Sequence, residues 1–278
     1  MNVKEIPEVQ NFLNQLSHYL EIESVLCYGS YAIGCHDQKS DVDLLIFVRT
    51  LPEKMELQEI YHKFKGFHNI ELKELDHWNS SWTLMNGSLE AISGIKIEPG
   101  FNTIEWTETV MKKLLENHEI SFEEFPFRPY TFLGLLEHSQ CIYDKNSFIK
   151  KLKSKVRPFP LELKKAIVKP NLAMLQDCLL DLEDNIARNI GILSYQFHIG
   201  MGLDSATQLL WVINDYYDPA SKRCERDLFK LRLLPENFEK FILLTLPKCY
   251  EKREEFLQKF LDVKEFIDKK VIELELIS

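Results

Sequence analysis

Residues 25–28, Val-Leu-Cys-Tyr, form an apolar run that stops at Gly29-Ser30. A dozen positions on, Ser40-Asp41-Val42-Asp43 leads into Leu44-Leu45-Ile46-Phe47-Val48. The second run is apolar without alternation, the pattern of a strand buried on both faces. A strand of that kind needs a sheet around it and layers above and below, which excludes an all-helical fold. It also carries two carboxylates at its mouth. Alternate residues of a strand share a face, so Asp41 and Asp43 project together, about 7 Å apart along the chain. Like charges held that close repel unless a positive group lies between them, and a divalent cation with a taste for hard oxygen ligands is the natural occupant. The Gly29-Ser30 turn has no bulky side chain, so its backbone amides can approach a phosphate at the start of a short helix.

Taken in order, Gly29-Ser30, Gly34, Ser40-Asp41-Val42-Asp43 and the apolar strand resemble the signature of the DNA polymerase β nucleotidyltransferase superfamily. The similarity is to its antibiotic (kanamycin- or lincosamide-type) or minimal nucleotidyltransferase branch. It confines itself to residues 25–48. What it implies is an α+β fold, a small mixed β-sheet core with helices, followed by an α-helical bundle domain. It further implies two Mg²⁺ ions, an NTP donor with ATP first among them, and transfer of a nucleoside monophosphate. Asp41 and Asp43 would then bind both ions. Ser30 and the amides around Gly29, with Ser40 nearby, would hold the β- and γ-phosphates. A third carboxylate is expected from a later strand: Glu98, between Ile97 and Pro99, is the first choice and Glu105 the rival, with Glu71, Glu74 or no third ligand left open.

Composition narrows the partners. Net charge is −9, with 45% hydrophobic and 28% charged residues, an ordinary globular balance. That acidity disfavours nucleic acid as the acceptor and suits a cationic small molecule such as an aminoglycoside. A protein acceptor is the second expectation, and a catalytically silent nucleotide-binding module the third. Cysteines stand at 27, 35, 141, 178, 224 and 249 without a Cys-x-x-Cys pair, so no zinc spacing is present. Met1-Asn2-Val3-Lys4-Glu5 opens an amphipathic segment, and no apolar run reaches membrane-spanning length. A cytoplasmic protein with reduced thiols and no membrane partner is expected.

The remaining pattern predicts helices over 7–20, 53–66 and 103–117, and strands over 24–28, 41–48, 69–76 and 94–98, the last stopped by Pro99-Gly100. Asn102 or Thr103 is the expected cap of the 103–117 helix. The catalytic domain is expected to span 1–117 and a helical domain 118–278. In the latter, helix is predicted over 161–199, broken at Lys169-Pro170, and again over 205–216 after the Gly200-Met201-Gly202 break, with a long final pattern over 249–275. Asp177, Asp181, Glu183 and Asp184 lie on a helix where some relatives carry a general base; none is singled out. Asn214-Asp215-Tyr216-Tyr217 with Lys222-Arg223 is similar to an Asn-x-x-Tyr…Lys stretch of nucleotidyltransferases with helical C-terminal domains, which makes Lys222 a candidate nucleotide contact. His36 and His198 read as ordinary polar residues.

Overall fold

The computed structural model describes residues 2–73, 83–122, 128–219 and 225–277. The chain divides into two compact units, one from Met1–Pro158 and the other from Phe159–Asp218 with the described residues beyond 225.

The first unit is built on one mixed sheet. Its strands are β1 (Ile22–Tyr28), β2 (Val42–Val48), β3 (Phe67–Lys73), β4 (Met85–Ala91), β5 (Lys96–Thr103) and β6 (Gln140–Asp144). They lie in the order β3-β4-β5-β2-β1-β6. All neighbours are antiparallel except β2 and β5, which run parallel. β2 is therefore central, and Leu44, Leu45, Ile46 and Phe47 are fully buried. Burying each such side chain stabilises by about 1.5–3 kcal/mol relative to leaving it in water.

The two faces of β2 meet different helices. Val42, Leu44, Ile46 and Val48 join one core cluster with Val9, Phe12 and Leu16 of α1 (Pro7–Leu16) and Leu57, Ile60 and Tyr61 of α3 (Lys54–His62). Phe47 points the other way and packs edge-on against Phe148 at 5.4 Å, at the start of α6 (Phe148–Val156). Between them in the chain come the four-residue α2 (Gly29–Ala32), α4 (Ile104–Leu115) and α5 (Thr131–His138). Thr103 caps α4, its hydroxyl accepting from the Trp106 amide at 3.1 Å, as the sequence predicts.

Two boundaries depart from the pattern reading. β5 runs through Pro99-Gly100 instead of stopping there. Gly100 is needed for closeness: a Cβ on it would lie 2.4 Å from Thr83 Cγ2. The compact unit also continues past residue 117 to Pro158, because β6 hydrogen-bonds to the outer edge of β1 and α5 and α6 pack on the sheet.

The second unit is helical: α7 (Leu161–Ala187), α8 (Ile192–Ile213), α9 (Glu225–Leu228), α10 (Phe238–Lys240) and α11 (Arg253–Glu273). α7 and α8 form an antiparallel hairpin, and α11 packs on both. The expected breaks fall elsewhere. Pro170 lies inside a continuous α7, and the chain reverses instead at 188–191, with Asn189 at φ +50°. Gly202 does not break α8 but lets it approach its neighbours, since a Cβ there would sit 3.1 Å from Phe260 and 3.2 Å from Cys178. A glycine chosen for close helix packing and one chosen for a turn read alike in a sequence.

Candidate active site

Asp43 is the second residue of β2, and Asp41 lies one residue ahead of the strand. Parallel pairing sets Asp43 directly beside Glu98 of β5, and antiparallel pairing sets it beside Tyr28, the last residue of β1. Neighbouring strands are about 4.8 Å apart, so Asp43 and Glu98 share a face as adjacent carboxylates. The β4–β5 register, Leu89 with Ile97 and Asn86 with Gly100, continues the row to Ser88, and Ser88 pairs with Glu71 at the sheet edge.

The alternatives to Glu98 separate cleanly on this lattice. Thr103 pairs with Val48, so Glu105, beyond Thr103 in the first turn of α4, lies past the opposite end of β2 from Asp43. There it is exposed and faces the positive end of the helix. Glu71 is exposed and two strands removed from Glu98. Glu74 falls outside the described residues.

Gly29 sits under Asp43. Its φ is +68°, and a Cβ built on it would lie 2.2 Å from Asp43 Oδ2 and 3.1 Å from Asp43 Cγ. Only a residue with no side chain both adopts that backbone and leaves room for the carboxylate. Ser30 follows in the first turn of α2, half-buried. Ser40 closes a turn with Asp37: its hydroxyl donates to Asp37 Oδ1 at 3.2 Å and accepts from the Asp37 amide at 2.9 Å. That turn delivers the chain to Asp41, so the place Ser40 holds is beneath the loop. Tyr31 and His36 stack at 4.2 Å across the same loop, and Gln140 of β6 donates to the Ala32 carbonyl at 2.8 Å, pinning α2.

The local electrostatics are those of an acidic, partly buried stretch. Burial, with the Asp43 charge adding to it, pushes the Cys27 thiol far above its ordinary range. Burial also raises the Tyr31 phenol, with Cys27 and Asp41 contributing. Neither group is poised to act as a nucleophile or base. Among the described residues Asp41 has no hydrogen-bond or ion-pair partner, and Glu98 forms an ion pair with Lys73 of β3. No group of three or more His, Cys, Asp or Glu residues is gathered closely enough to hold a metal ion, again among the described residues. The donor types nevertheless suit a hard divalent cation: all are carboxylates, Asp43 and Glu98 are in register, and Asp41 comes one residue ahead of the strand.

In the helical unit the Asn214–Tyr217 stretch is structural. Asn214 clamps Leu233, donating to its carbonyl at 2.8 Å and accepting from its amide at 2.7 Å. Asp215 pairs with Lys164 at 2.6 Å. Tyr216 stacks on Trp211 and Tyr217 on Phe159. Lys222 lies outside the described residues. Asp181 pairs with His198 and Asp184 with Arg188.

Residues 7–79 match the family model of the Nucleotidyltransferase domain. This bears out the resemblance carried by Gly29-Ser30 and Asp41-x-Asp43, which lie within the matched residues. The chain is also 39% identical over 62 residues to a protein of Methanocaldococcus jannaschii named "Putative protein adenylyltransferase MJ0141", a match covering 22% of this chain and 61% of that one. The chain thus spans about three fifths of that relative's length. Among solved structures it is similar to a nucleotidyltransferase-like protein from Exiguobacterium sibiricum 255-15, at 13% identity and a TM-score of 0.42, covering 95% of this chain and 74% of that one. No described helix is long and apolar enough to cross a membrane.

Proposed function

We propose that this protein is a divalent-cation-dependent nucleotidyltransferase that moves a nucleoside monophosphate, AMP from ATP, onto a hydroxyl group. The observation that carries the reading is the register of Asp43 with Glu98, with the Asp43 carboxylate seated over Gly29 and Asp41 one residue ahead of the strand.

Asp41, Asp43 and Glu98 would hold Mg²⁺. Bound there, the ions supply Lewis-acid neutralisation of the triphosphate and a lowered pKa for the attacking hydroxyl. The protein's own part is placement. The β2–β5 pairing fixes the two carboxylates at strand spacing, and the Ser40–Asp37 turn fixes the approach to Asp41. Ser30 and the amides after Gly29 are the donors for the phosphate chain, and Lys222 is a further candidate contact.

For the acceptor, the name of the archaeal relative supports a protein hydroxyl, and the net charge of −9 supports a cationic small molecule. Both follow from one assay. The protein is incubated with α-labelled ATP and Mg²⁺, alone, with cell extract, and with an aminoglycoside panel, and pyrophosphate release and label transfer are followed. Label on a protein band or a small molecule that disappears in Asp43→Asn supports the reading and assigns the acceptor. Mg²⁺-dependent ATP binding without transfer to any acceptor favours a silent nucleotide-binding module, and no nucleotide binding overturns the proposal.

A further inference from the structure

Lys73 is the last described residue of β3, and its ammonium meets Glu98 two strands away. That reach is unusual enough to need explaining. β3 and β5 are separated by β4, a span of about 10 Å. Lys73 pairs with Asn86, and Glu98 falls opposite Ser88 two residues along β4, so the contact is diagonal and closes because both side chains are long. An aspartate at position 98 would fall a methylene short. The pair is also shielded, with side chains 32% and 21% exposed, so its charge is felt by its neighbours more than a surface pair's would be.

The row that Lys73 reaches, from two residues along β3, is otherwise acidic. Asp43 and Glu98 are adjacent, Glu71 is at the edge beyond Ser88, and Asp41 precedes β2 by one residue. Adjacent carboxylates destabilise one another without a counter-charge. Lysine is suited to a temporary one: it is a single charge on a flexible stem, without the two-point grip of a guanidinium on a carboxylate.

We propose that Lys73 is the internal counter-ion of this site: it holds Glu98 while no divalent cation is bound and is displaced from it when one binds, so that Lys73 sets the cation affinity of the site. The inference rests on the reading of Glu98 as a metal ligand. Lys73 is a positioning residue in this scheme, acting through Glu98. The free enzyme is kept folded and its carboxylates ordered, at the cost of weaker cation binding until a triphosphate brings its own charge.

The test is Mn²⁺ binding, measured by electron paramagnetic resonance of free Mn²⁺ without nucleotide, on wild type, Lys73→Met, Lys73→Gln, Lys73→Arg, Glu98→Gln, Asp43→Asn and the Lys73→Met/Glu98→Gln double variant. Lys73→Met and Lys73→Gln are expected to bind Mn²⁺ more tightly, on the order of tenfold, since a unit charge a few ångströms from a ligand is removed. Lys73→Arg restores the wild-type value or weakens binding further. In the Glu98→Gln background Lys73→Met changes nothing, because the coupling runs through Glu98. Metal-free Lys73→Met melts below wild type and recovers more than wild type does on adding Mn²⁺. Equal or weaker Mn²⁺ binding by both Lys73→Met and Lys73→Gln overturns the inference while leaving the metal site standing. Wild-type binding by Asp43→Asn and Glu98→Gln, or no binding by any form, overturns the metal site itself and the inference with it.

Discussion

Gly29 and Gly34 offer a matched pair of substitutions in one loop. Both have positive φ, +68° and +70°, so Gly→Ala at either imposes a left-handed backbone on an L side chain. That costs roughly 1–2 kcal/mol. They differ in what the new methyl meets. At Gly34 nothing lies within 4 Å, whereas at Gly29 the Cβ would fall 2.2 Å from Asp43 Oδ2 and 3.1 Å from Cγ. An ordinary contact begins near 3.4 Å, so the carboxylate must move by about 1 Å, and a misplacement of that size at a reacting centre costs around 10²-fold in rate. Urea unfolding should therefore show Gly34→Ala destabilised by about 1–2 kcal/mol with nucleotidyl transfer near wild type. Gly29→Ala should lose that much stability and, in addition, transfer by around 10²-fold, along with Mn²⁺ affinity. Equal loss of transfer in the two variants would refute the claim that Gly29 acts by making room for Asp43.

Other consequences are checked more simply. Asp43→Asn is expected to keep the fold by circular dichroism and abolish Mg²⁺-dependent transfer. Asn214→Ala leaves both backbone groups of Leu233 without their partner, and thermal unfolding should show a loss of about 1–3 kcal/mol. The Cys27 thiol is raised by burial, so folded protein keeps its proton while the unfolded chain releases it above about pH 8.5. Stability should then fall as pH rises past that point; burial raises the Cys141, Cys178 and Cys249 thiols too, so Cys27→Ala should lower the slope by up to about 1.4 kcal/mol per pH unit without abolishing it. In the same range alkylation should label half-exposed Cys35 well before buried Cys27.

What the sequence made legible was the part of the site that is local. Gly29, Ser30, Asp41 and Asp43 fall within one strand–turn–strand, and their spacing carries the chemistry on its face. Glu98 could be named from its position ahead of Pro99 but not distinguished from Glu105 by pattern, because both border apolar residues near one end of an element. Only the parallel register of β2 with β5 separates them. Lys73 gave no signal at all. It alternates with Glu71 as any half-exposed strand charge does, and its partner lies 25 residues on and two strands across. β6 was missed for the same reason: a five-residue strand whose partner, β1, precedes it by more than a hundred residues leaves no periodicity to read. β4, with Asn86, Gly87 and Ser88 at its centre, lacks the β-branched enrichment by which strands announce themselves. In the helical unit the errors were of punctuation, with Pro170 and Gly202 taken as stops when the packing of a long helix pair overrides local propensity.

The late return of the chain as β6 bears on how this protein can be cut. Comparison recognises residues 7–79, a piece that holds the aspartates but lacks β4, β5 and β6. A clone ending at 117 regains Glu98 yet still leaves the outer rim of β1 bare. That rim is Val25, Leu26 and Cys27, a flat apolar ribbon with unspent amide and carbonyl groups, and such ribbons template the association of one molecule with the next. Expression pieces that stop before Asp144 should accumulate as insoluble aggregates, and those carried through Pro158 should stay dispersed. The stretch that identifies the domain is shorter than the stretch that makes it a self-sufficient body.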